Sequence, residues 1–274
     1  MAELTRREVI HILAAVPRSR EGEWGVRLSG VDLSGLDLRG LNFTYADLRG
    51  ANLTSAMLSQ AILARAVLAG AQLSDVDAVA CDLSGADLSS AQLVQARLTN
   101  ANFTEASLEA ANCIGADMRG AKLNRARLSR CDLRSADLTR AELAHARMAG
   151  ACLGNADLTA AALEEAELND ANLDEALCER IVLRHAHLHR ASLIEARLPF
   201  ADLRGANLSD ALLIRADLTE ADCSRAIFRE ANLADAILAR ANLSGATLRN
   251  AQLSEQALKT AILNQTILPD GNSA

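Results

Sequence analysis

Aromatic residues are almost absent from this chain. Only 2% of its 274 residues are Phe, Trp or Tyr, including one Trp and one Tyr. Globular cores draw much of their buried area from aromatic rings. Here half the residues are apolar, and Ala and Leu carry most of that content, which points to a narrow, regular interior. No apolar stretch of about 18 residues exists, so a membrane-spanning helix is excluded. The N-terminus lacks the apolar segment of a secretory signal, and the expected location is the cytoplasm. The six cysteines include no CxxC pair. Most fall at interior positions of the repeat described below and read as small buried hydrophobes in a reducing compartment. The net charge of −7 argues against direct nucleic-acid binding.

Catalytic signatures are missing too. There is no GxGxxG, P-loop, nucleophile elbow or HExxH. Asp and Glu are abundant, but as solvated repeat positions rather than as a pair in a cleft. The expectation is a chain that is not an enzyme and takes no cofactor.

What is present is a period of five. Of the 49 positions taken every fifth residue from Leu28 to Leu268, forty are Leu. Two residues before each of these, thirty-nine of 49 are Ala. The unit reads Ala-(Asp/Asn)-Leu-x-x, as in Ala46-Asp47-Leu48-Arg49-Gly50, and in the sequence its phase holds from Val26 to Asp270. An α-helix, at about 100° per residue, would spread such a repeat around its circumference. A plain strand would move Leu to the opposite face at each repeat. Short extended pieces joined by corners fit: Ala and Leu point to one side, and the two residues after Leu turn the chain.

These residues resemble the pentapeptide-repeat family over positions 26–270. The resemblance implies an all-β fold, a right-handed quadrilateral parallel β-helix with four pentapeptides per coil and Ala and Leu filling the interior. On that plan 245 residues make about 12 coils, and at a strand spacing of ~4.8 Å the solenoid is roughly 55–60 Å long. Thr5 and Glu8 form a capping box before helically spaced Val9, Ile12, Leu13 and Val16. Residues 1–25 are therefore expected to be a capping helix and linker, with Trp24 packed on the first coil, and 271–274 a disordered tail. At the C-terminal end no comparable cap is expected. Ile262 and Ile267 face outward there, beside atypical inward Gln256 and Thr266. Family members often dimerise through this end, which implies a homodimer interface at Ile262 and Ile267. Ala78, the one small residue at a Leu position, reads as a core defect offset by Val76.

Residues twenty apart should stack in columns, so position modulo 20 assigns a face. The face centred on remainder 13, with its corners, carries 18 acids and six bases, a net of −12 against +5 for the rest of the solenoid. Its candidate partner-binding acids are Asp75, Asp77, Asp117, Asp137, Asp157, Glu175, Glu195, Asp217 and Asp235. Ile194, Leu212 and Ile214 form a candidate apolar patch within it. His185, His187 and His189 alternate near Glu165, Glu167 and His145, a set of Zn²⁺ or Ni²⁺ ligand types. Corners splay such side chains, so they read as a polar corner and no metal is expected.

The resemblance extends to family members that mimic DNA, bind DNA gyrase or topoisomerase IV and protect it from poisons. Length, acidic balance and C-terminal pairing agree with that group, whereas the lack of an inserted loop departs from several of its members. The alternative is a general protein-interaction scaffold or secreted effector with no topoisomerase role.

Overall fold

Side chains two apart on an extended segment share a side, and in this chain the shared side is the interior. The computed structural model describes residues 4–15 and 25–274. It divides into two compact units, Met1–Asp137 and Leu138–Ala274, built on one plan. The residue before an inward Leu pairs in parallel with the residue twenty further on, as in Asp47↔Val67↔Asp87 of the first unit and His187↔Asn207↔Ile227 of the second. Four pentapeptides therefore close one coil. The Leu and Ala positions from Phe43 to Ala251 are buried in both units, those of the last coil such as Leu253, Leu263 and Leu268 are half-buried, and Phe43, Phe103 and Phe228 are fully buried where they replace Leu. Ala78 and Val76 are both buried, and the pairing Asp77↔Arg97 carries the ladder past them.

The repeat satisfies its backbone donors one by one. In Ala51–Ser55, Asn52 N–H donates to Val31 O of the preceding coil at 3.0 Å. Leu53 and Ser55 donate to Gln72 O and Ser74 O of the following coil at 2.7 and 3.0 Å. The next Ala closes the corner, Ala56 N–H to Leu53 O, at 3.0 Å. The remaining donor, Thr54 N–H, goes to the Asn52 side-chain Oδ1 at 3.1 Å. Asp or Asn before Leu is thus the local acceptor that completes the corner, which a buried or half-buried amide requires.

The second corner residue is left-handed throughout. At the 45 corners from Gly30 to Asn250, φ lies between 52° and 68°, and 34 of these residues are not glycine. Each costs about 1–2 kcal/mol relative to right-handed backbone, a cost offset by inter-coil hydrogen bonds from the same residues. At Gly25 the constraint is different: a Cβ would sit 1.9 Å from Tyr45 O.

Helix α1, Arg6–Ala15, begins at the expected capping box: Thr5 N–H and Oγ1 donate to Glu8 Oε2 at 2.7 and 2.8 Å. Val9 is fully buried, and Arg6 pairs with Asp37 at 2.9 Å and donates to Arg39 O. Val16 and Trp24 lie outside the described residues.

The C-terminal end departs from expectation. Residues Glu255–Lys259 form a second helix, α2, N-capped by Ser254 through Ala257 N–H. Gln256, expected to point inward, is exposed on α2. An amide at an Ala position would be buried without partners, whereas a capped turn with Glu255 first and Lys259 last leaves it in water. Without a pentapeptide at this place, Ile237 is 51% exposed. Nor are residues 271–274 a disordered tail. They fold back antiparallel on the last segment (Ile267↔Ser273), with Ala274 N–H on Thr266 O at 2.9 Å and Gln265 N–H on Ala274 O at 3.0 Å. This return covers part of an open ladder edge. Thr266 is buried as expected, its hydroxyl donating to Leu243 O at 2.7 Å.

Candidate protein-binding faces

The candidate acids occupy two kinds of position. Asp77, Asp117, Asp137, Asp157 and Asp217 precede an inward residue, while Asp75, Glu175, Glu195 and Asp235 occupy left-handed corners with φ of 57° or 58°. In the first unit the pairing Asp77↔Arg97↔Asp117↔Asp137 puts three of them in one column. Arg97 pairs with Asp77 at 3.0 Å, and Arg119 grips Asp117 at 2.6 Å while its Nε lies 3.5 Å from Asp137. The Arg119 hydrogen bonds outweigh partial burial and lower the Asp117 pKa to about 2.

In the second unit the pairing runs Asp157↔Leu177↔Arg197↔Asp217↔Ile237. Asp157 and Asp217 each accept a backbone N–H, from Thr159 and Thr219, at 2.9 Å. Glu175 and Glu195 stand on successive coils, and Arg215 pairs with Glu195. Asp117, Asp157 and Asp217 therefore also serve the backbone, while Asp77, Asp117 and Glu195 pair with guanidinium groups. Sequence reasoning treated the repeat carboxylates as solvated and missed this second duty. The signal was there, since the repeat favours Asp and Asn over Glu and Gln at this position, as a short side chain reaching its own corner requires.

The expected apolar patch is only partly presented. Leu212 is exposed, but Ile194 and Ile214, first in their corners, are half-buried. More exposed apolar surface sits at Leu177 and Ile237, which the sequence reading left out. Ile262 and Ile267 are exposed, the former by 54%.

The histidines scatter. His145 Nδ1 lies 3.4 Å from Glu165, and His189 Nδ1 lies 3.1 Å from Ser209 O and 3.3 Å from Asp210. Among the described residues no group of three or more His, Cys, Asp or Glu is placed to hold a metal ion. Cys81, Cys113, Cys131, Cys178 and Cys223 are buried and Cys152 is exposed. Among the described residues no helix is long and apolar enough to cross a membrane.

No curated protein matches the chain. Among solved structures it is similar to HetL, a protein involved in heterocyst differentiation regulation in the cyanobacterium Nostoc sp. strain PCC 7120. That match has 29% identity over 99% of this chain and all of the other, with a TM-score of 0.47. It is also similar to Rfr23 of the cyanobacterium Cyanothece 51142, at 35% identity over 31% of this chain and 58% of that one, with a TM-score of 0.31. Full-length QnrB1, a plasmid-mediated fluoroquinolone resistance protein, matches at 18% identity over 86% of this chain and 93% of its own, with a TM-score of 0.30. The family model for pentapeptide repeats matches in overlapping segments that together span residues 25–265. With its five-residue period and twenty-residue pairing, the chain belongs to the pentapeptide-repeat family of β-helix solenoids.

Proposed function

We propose that the chain is a non-enzymatic protein-binding solenoid whose acidic side imitates the charge of DNA. Its partner on this reading is a type II topoisomerase, DNA gyrase or topoisomerase IV, which it protects from poisons. The observation that carries the reading is the column Asp77, Asp117, Asp137 of the first unit together with Asp157, Glu175, Glu195, Asp217 and Asp235 of the second, on backbone fixed by inter-coil hydrogen bonds. Preorganised carboxylates on each unit suit a basic DNA-binding saddle by electrostatic complementarity. Helix α1 serves as the N-terminal cap, Ile262 and Ile267 join two copies at the C-terminal end, and the protein works in the cytoplasm.

The test is a gyrase supercoiling and cleavage assay with and without a poison, titrating this protein. Relief of poisoning is expected, and it should vanish when Asp117, Asp137 and Asp157 are replaced by Asn. Absence of any effect at tens of micromolar, as an order of magnitude, sinks the reading for that enzyme.

One observation favours a second reading, a general interaction scaffold. Leu177, Leu212 and Ile237 are exposed in the second unit, and apolar groups have no counterpart in a DNA mimic. On that reading Leu212→Ser and Ile237→Ser abolish partner capture while the Asn variants leave it intact.

A further inference from the structure

A groove of about 560 Å³ runs along a different corner of the second unit, away from the candidate acids. Two rows line it. The first is Arg184, Arg204, Ser224, Ser244 and Asn264; the second is His185, Gly205, Arg225, Gly245 and Gln265. The second row alternates side chain and glycine, and the missing side chains open the groove. The His185 ring leans into the first gap, 2.6 Å from where a Gly205 Cβ would stand, and the Arg225 stem borders the second, 3.5 Å from a Gly245 Cβ.

The charges are arranged for an anion. Asp202, only 18% exposed, accepts Arg184 Nε at 2.6 Å and Arg204 Nε and Nη2 at 2.8 and 2.7 Å. One carboxylate thus aligns two guanidinium groups, each with further N–H donors directed elsewhere. Asp222 stands 3.8 Å from Arg204. The Arg225 guanidinium has no ion pair among the described residues. Three arginines face two carboxylates, beside serine hydroxyls, in a cavity of ligand-site size. Planar guanidinium forks fixed from behind suit oxyanions.

We propose that this groove binds a small multivalent oxyanion, a molecule carrying two or more phosphate or carboxylate groups, with Arg225 as its principal contact. The site is independent of the acidic face and of any topoisomerase partner.

Calorimetric titration of the full chain with inorganic pyrophosphate, and separately with citrate, tests this and separates phosphate from carboxylate ligands. One-to-one saturable binding of at least one probe is expected. Arg225→Gln should weaken it by about tenfold or more, the worth of a charge-assisted contact. Gly245→Gln, which fills the second gap, should do the same. Gln already occupies this corner position at residues 60, 95 and 265, so both variants are compatible with the fold. Arg97→Gln, in the first unit, should change affinity by less than about twofold. If either groove variant melts early, Arg225→Lys replaces it and should hold binding closer to wild type than Arg225→Gln does. Binding of neither probe up to about 10 mM, or full binding retained by Arg225→Gln or Gly245→Gln, overturns the proposal.

Discussion

The Asp157 carboxylate accepts the backbone N–H of Thr159 at 2.9 Å, so a residue of the candidate acidic side is also a fastening of its own corner. The two duties separate by substitution. Asp157→Asn keeps an Oδ1 acceptor and should shift the urea midpoint little. Asp157→Ala leaves the Thr159 amide without its partner and should cost about 1 kcal/mol. Equal destabilisation by both variants would show that charge, not the corner hydrogen bond, is what the fold uses.

Corner conformation gives substitutions of opposite sign. Gly50 has φ of 61° with nothing within 4 Å of a would-be Cβ, so Gly50→Ala probes conformation without a clash. It should lose about 1 kcal/mol, while Ala160→Gly, at φ of 56°, should gain a few tenths to about 1 kcal/mol. Thermal melts of the pair measure both.

Acid should weaken the fold through Asp117 and Asp202. At Asp202 burial raises the pKa, but hydrogen bonds from Arg204 and Arg184 prevail and hold it at about 2. Asp117 is held at about 2 by Arg119. Both folded values lie below the unfolded carboxylate value of about 3.9. The stabilisation is therefore complete above that value and is lost as pH falls from about 4 to about 2. Arg204→Gln should flatten this loss, since it removes one of the two guanidinium groups that hold the Asp202 carboxyl low. Denaturation midpoints at stepped pH measure it.

Cysteine reactivity should single out one thiol. Burial raises the pKa of Cys81 and Cys178 to about 12, and Cys223 rises as well. Cys152 is exposed. Brief iodoacetamide treatment at neutral pH, followed by peptide mass mapping, should label Cys152 at least about tenfold faster than Cys81, Cys178 or Cys223.

Most of the fold was legible because a solenoid repeats its physics. Leu every fifth residue with Ala two before it defines the interior, while the twenty-residue pairing was expected only because the family resemblance implies four such units per coil. The capping box at Thr5 and Glu8 was equally plain. The C-terminal departures were harder to read, because Leu253 and Leu258 keep the five-residue phase while a single amide at Gln256, with Ser254 as N-cap, tips the segment into α2. The left-handed corners at Arg, Glu and even Phe200 were hidden for another reason: inter-coil hydrogen bonds override residue preference there. The candidate faces were legible as columns of charge. Side-chain pairing, such as Arg119 with Asp117, needed coordinates.

Direct binding to purified gyrase by surface plasmon resonance tests the central functional claim most closely. Saturable binding is expected, weakened about tenfold or more when salt rises from about 50 to about 200 mM, and lost in the Asp117→Asn, Asp137→Asn, Asp157→Asn triple variant, which gives up the Arg119–Asp117 pair and should melt somewhat lower but stay folded at the assay temperature. No binding at tens of micromolar, as an order of magnitude, or binding indifferent to both salt and the three substitutions, would contradict it.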